Sequence, residues 1–119
     1  MITIDLSIYG LLARVAGGKY IAQVELRLKD NATVSDIFEH YNISPEEKSY
    51  VFINAILCDV PGLNASAEER LKEHDHVGIF SDGYMWPYQY RNGAPISKRL
   101  ERAMKEIDML HHTYTNGQE

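Results

Sequence analysis

The chain has 119 residues, with 12 Lys and Arg against 17 Asp and Glu, a net charge of -5 and 45% hydrophobic content, which suits one folded domain and argues against disorder. Its single cysteine excludes an intramolecular disulfide framework and any four-cysteine zinc or iron–sulfur site. No apolar run approaches the ~20 residues of a membrane span, and the alternating start Met1-Ile2-Thr3-Ile4-Asp5 lacks the pattern of a signal peptide, so a soluble, cytoplasmic protein without a membrane partner is expected.

Ile2, Ile4, Leu6 and Ile8 alternate with Thr3, Asp5, Ser7 and Tyr9, the period of a half-buried strand. Leu11 to Gly18 connects it to a second alternating run, Tyr20, Ala22, Val24, Leu26 and Leu28, and Gly17-Gly18 suits positive φ. Thr33 and Asp36 then mark a helix start, and Val34, Ile37, Phe38 and Tyr41 form one apolar face. Tyr50–Ile53 and Ile56–Val60 predict a second hairpin around Asn54-Ala55. Ala65–Leu71 has room for a helical turn, and His76–Phe80 predicts the last strand.

From Ser81 the composition changes. Residues 1–80 hold 7 basic and 12 acidic side chains, whereas 81–119 hold 5 of each, with Lys98, Arg99, Arg102 and Lys105 close together. Tyr84-Met85-Trp86-Pro87-Tyr88-Gln89-Tyr90 is an aromatic stretch that extends the domain's own core, meets a partner, or serves as a stacking platform for nucleic acid or a ligand, the last least favoured because Arg91 is the one nearby cation. After Asn92-Gly93-Ala94-Pro95, the residues Ile96, Leu100, Ala103, Ile107 and Leu110 repeat at heptad spacing, with Met104 beside them. A helix over about 96–112 follows, packed on the body or paired with another subunit, with Thr113–Glu119 frayed. Nucleic acid suits this chain poorly, since the acidic body repels phosphates.

Strands around one helix predict an α+β domain, and a hairpin followed by a crossover helix is the plan of a ubiquitin-like β-grasp with a mixed sheet of about five strands. Three segments carry a family likeness: Val34-Ser35-Asp36-Ile37, Val51-Phe52-Ile53-Asn54, and Leu71-Lys72-Glu73-His74-Asp75-His76-Val77-Gly78-Ile79-Phe80. Through them residues 1–80 resemble the MoaD/ThiS group, small β-grasp sulfur carriers of molybdopterin and thiamine biosynthesis. His74 stands where the group usually has glycine, as does Ala55 after Asn54. The resemblance implies a reactive C-terminal Gly-Gly, adenylated and converted to a thiocarboxylate. Here Ser81-Asp82-Gly83-Tyr84-Met85-Trp86 runs through that place, and Gly17-Gly18 is internal.

The expectation is therefore a body, 1–80, and an extension, 81–119, forming a non-catalytic binding subunit without cofactor. It would associate with a protein partner or with itself through Tyr84, Met85, Trp86, Tyr88, Tyr90, Ile96, Leu100, Ala103, Ile107 and Leu110. The resemblance places such a subunit in sulfur, molybdenum or tungsten cofactor metabolism; the alternative is a sulfur carrier or molybdopterin-synthase small subunit with an altered or processed tail. Other chemistry is thin. His74 and His76 would share a strand face but lack a third ligand, His111-His112 suggest no site, and Cys58 has no basic neighbour in sequence to activate it.

Overall fold

The computed structural model describes residues 1–81 and 95–117, without the side chains of residues 49 and 108–117. Strand β1 (Ile2–Tyr9) pairs antiparallel with β2 (Ile21–Leu28) and parallel with β5 (His76–Ser81); β3 (Lys48–Ile53) lies between β5 and β4 (Ile56–Asp59). The order β2-β1-β5-β3-β4, with one helix α1 (Val34–His40) on a face, is the expected ubiquitin-like β-grasp. A second helix, α2 (Lys98–Gly117), follows.

The period of two decides the main core. Ile4, Leu6, Ile8, Val77, Ile79 and Val51 point to the face covered by Val34, Ile37 and Phe38 of α1. The opposite face is not wholly polar. Tyr9, Phe52, Leu57 and Phe80 form a second cluster there with Leu100 of α2, and the Tyr9 and Phe80 rings stack at 4.6 Å. A continuous apolar run such as Tyr50-Val51-Phe52-Ile53 reflects burial on both sides.

Thr33 and Asp36 mark the start of α1 as expected, through a reciprocal cap. Asp36 accepts from the Thr33 N–H at 2.7 Å and from its hydroxyl at 3.2 Å, and the backbone bond draws the Asp36 carboxyl below its ordinary pKa. The amides of Val34 and Ser35 donate to the carbonyls of Glu69 and Ala67, so a neighbouring loop satisfies the helix start. That loop forms turns where Ala65–Leu71 allowed a helical turn, because these carbonyls serve α1 and Ser66 serves Asp59.

Smaller differences are local. The β1–β2 connection is a 3-10 helix, Leu11–Ala16, closed by Gly17 at φ +90; a Cβ on Gly18 would run into the Ile21 carbonyl oxygen. Tyr20 precedes β2 and is exposed. Helix α2 continues to Gly117, beyond the expected end near 112.

The interior also holds an ion pair that no sequence pattern marks. Lys48 and Asp59 are 1% and 0% exposed and lie 3.4 Å apart. Lys48 donates to the Leu63 carbonyl at 2.5 Å, while Asp59 accepts from the Ser66 hydroxyl at 2.7 Å and from the amides of Ser66 and Val60. The pair has enough hydrogen bonds to offset much of its desolvation.

Ala55 and His74, which stand where the resembled group has glycine, both sit at positive φ, each at 68°. Asn54 and Ala55 form the two-residue β3–β4 turn, where a side chain in the left-handed region costs about 1–2 kcal/mol. Allowing for the added freedom of glycine when unfolded, Ala55→Gly should stabilise the fold by about 1 kcal/mol. His74→Gly should give a smaller gain in the same urea-unfolding assay, since His tolerates this region better. Lys48→Met, which leaves Asp59 buried without its cation, should cost about 3–5 kcal/mol by denaturant titration.

Candidate interaction surface at the C-terminal helix

Strand β5 ends against β1. The Ser81 hydroxyl donates to the Tyr9 carbonyl at 2.9 Å and accepts from the Leu12 amide at 3.3 Å, which fixes where the extension departs from the sheet. The extension is next described at Pro95, alongside β4. Leu57 donates its N–H to the Pro95 carbonyl at 2.8 Å, and its carbonyl accepts from Ser97 at 2.9 Å. These bonds form a one-residue parallel bridge between Leu57 and Ile96.

Ser97 then starts α2. Its hydroxyl accepts from the Leu100 amide at 3.1 Å and its carbonyl from the Glu101 amide, the behaviour of an N-cap residue. Leu100 inserts fully between Tyr9, Phe52, Leu57 and Phe80. Outside this contact, the Arg99 guanidinium bonds Glu69 at 3.0 Å and lies 3.8 Å from Glu68. The first turn of α2 is therefore fixed by a cap, an apolar plug and an ion pair.

Beyond that turn the apolar residues are only partly covered. Ala103 is half-buried, while Met104 is 38% and Ile107 46% exposed; both line an open groove of about 260 Å³ with Val60, Pro61, Gly62 and Leu63. Ile96 is also 46% exposed. The heptad series therefore does not act as one stripe: Leu100 is consumed by the chain's own core and is not open to a partner, whereas Ile96 and Ile107 are accessible. Tyr84, Met85, Trp86, Tyr88 and Tyr90 lie outside the described residues, as does the side chain of Leu110. Met104, placed beside the heptad series by sequence, shares the exposed face with Ile107. The helical period could have separated Met104 from Leu100 only if the docking angle of α2 were known.

The remaining candidates are structural. Asn54 donates to the Asp75 carboxylate at 2.9 Å and accepts from the His76 amide at 2.9 Å, so two of the family-like segments meet here. His74 occupies the turn before β5 rather than the strand, with its side chain exposed; it and His76 do not share a strand face. Among the described residues no group of three His, Cys, Asp or Glu side chains is placed to hold a metal. No described helix is long and apolar enough to cross a membrane.

Cys58 is buried beside Ile53, Ile56, Glu69 and Arg70, next to the Pro95–Lys98 segment. Burial first, and then the Glu69 charge, push its thiol pKa up to about 11. A thiol that remains protonated at neutral pH is a poor nucleophile. Iodoacetamide labelling of the native protein at pH 8 should accordingly be at least about tenfold slower than labelling in urea, as followed by intact mass. Because the folded pKa is raised, Cys58 favours the fold below the ordinary thiol pKa and loses that contribution as pH rises toward 11.

No family model matches the chain, and no curated protein matches it. Among solved structures, a Pyrococcus furiosus protein provisionally named molybdopterin converting factor, subunit 1, is similar at 21% identity and a TM-score of 0.48, over 68% of this chain and 98% of that one.

Proposed function

We propose that the protein is a non-catalytic β-grasp binding subunit that associates with a protein partner through its C-terminal extension. The observation that carries this reading is the docking of the extension. Pro95 and Ser97 bond to Leu57 of β4, Leu100 is buried, and α2 then leaves Met104 and Ile107 partly exposed along the Val60–Leu63 groove. A sulfur carrier of the resembled group works through a free, side-chain-free tail that enters an enzyme channel. This chain instead follows β5 with Asp82-Gly83-Tyr84-Met85-Trp86 and a structured helix.

The resemblance of residues 1–80 to the MoaD/ThiS group directs the search for the partner to sulfur, molybdenum or tungsten cofactor metabolism. A localisation in the cytoplasm fits such a role. The division into a body, 1–80, and an association element, 81–119, is part of the same proposal, as is an aromatic stretch at 84–90 that contributes to binding.

Incubation with an adenylating activating enzyme, ATP and a sulfur source, followed by intact-mass measurement, tests this reading against the alternative of a processed sulfur carrier. The full-length, unmodified mass is expected. A shortened chain whose new terminus is a thiocarboxylate would make the protein a carrier and remove the binding-subunit reading.

A further inference from the structure

Where the extension meets the β3–β4 hairpin, the two enclose an open cleft of about 330 Å³. The hairpin supplies Ile53, Ile56 and Cys58, and the docked segment supplies Pro95 and Ile96, so much of the lining is apolar. Ile56 is 39% and Ile96 46% exposed, which leaves two branched side chains meeting water beside the cleft. Cys58 is buried, and burial holds its thiol up at about 11. At neutral pH it is therefore an uncharged part of the lining that does not repel an anion.

The charged groups come from two separate elements. Arg70 ends the loop after β4, where its backbone bridges to Thr33, and Lys98 opens α2. Glu69 also lines the cleft, but its carboxylate is held by Arg99 at 3.0 Å, with Glu68 at 3.8 Å from the same guanidinium. Among the described residues no acidic side chain pairs with Arg70 or Lys98. Residues 1–80 hold 12 acidic side chains against 7 basic, yet the two charges left unmatched at this cleft are both positive. A mainly apolar cavity with a few polar groups is the pattern of a small-molecule site. The planar fork of arginine suits carboxylate and phosphate alike.

We propose that the cleft binds a small amphipathic organic anion. Its apolar body lies against Ile53, Ile56 and Ile96, and its carboxylate or phosphate is held by Arg70 and Lys98. The site goes beyond the association role of the extension and stands whether or not a protein partner is found. Because its walls come from both the body and the extension, an occupant binds the docked arrangement and stabilises it by mass action.

The full chain, labelled with nitrogen-15, is titrated with phenylacetate and with phenyl phosphate, which separate the two head groups. Saturable amide shifts are expected at Ile56, Cys58, Arg70, Ile96 and Lys98, with a Kd of about 1–5 mM for the better anion. Phenylethanol, which has the body without the charge, and inorganic phosphate, which has the charge without the body, should each bind about tenfold more weakly or worse. Arg70→Gln with Lys98→Gln should weaken the anion by about tenfold while leaving phenylethanol binding and thermal unfolding unchanged, since both side chains are exposed. The better anion at about ten times its Kd should slow iodoacetamide labelling of Cys58 about tenfold. The proposal is overturned by the absence of saturable shifts up to about 50 mM, or by shifts that map elsewhere. It is equally overturned if phenylethanol or inorganic phosphate binds as tightly as the anions, or if the double variant binds them unchanged.

Discussion

The buried contact between Lys48 and Asp59 organises much more than one hairpin. Asp59 takes both the hydroxyl and the amide of Ser66, and Lys48 takes the carbonyl of Leu63, so the loop after β4 is pinned at two points. That loop then supplies the carbonyls of Ala67 and Glu69 to the first amides of α1. Its next residues, Glu68 and Glu69, hold Arg99 of α2. One charge pair in the interior therefore sets the loop on which both helices depend. A charge with this many bonded dependants resists replacement by either partner alone.

The sheet is where the sequence is most informative. Alternation in β1 and β2 follows directly from which side chains meet α1, and the helix period of Val34, Ile37 and Phe38 records the same boundary from the other side. The turn residues are also local: Asn54, Ala55 and His74 occupy positive φ, and Ala55 and His74 are the two that stand in place of glycine in the resembled group. By contrast, Lys48 and Asp59 are eleven positions apart and carry no periodic signal of burial. Their meeting depends on how the β3–β4 hairpin and the following loop close.

The extension shows why the candidate site is harder to read than the fold. Heptad spacing correctly groups apolar residues on α2, but spacing does not say which of them a body of the same chain will take. Leu100 enters the aromatic cluster, and Ile107 does not. A signal was nevertheless present in the strands. Phe52, Phe80 and Tyr9 make the face away from α1 too apolar for water, which requires a cover from elsewhere in the chain.

The short bridge at Leu57 has a consequence for how molecules of this kind remain separate. An uncovered outer strand offers its unpaired N–H and C=O groups as a template on which further strands can add. Here Pro95 and Ser97 occupy both backbone groups of Leu57, and Pro95 itself has no N–H with which to continue a ladder. At the other side of the sheet, β2 exposes Gln23, Glu25 and Arg27, and the charges of Glu25 and Arg27 discourage strand addition. The extension thus caps the β4 edge at Leu57 as well as lengthening the chain, and loss of residues 95–100 would expose both that sheet margin and the aromatic surface beneath Leu100.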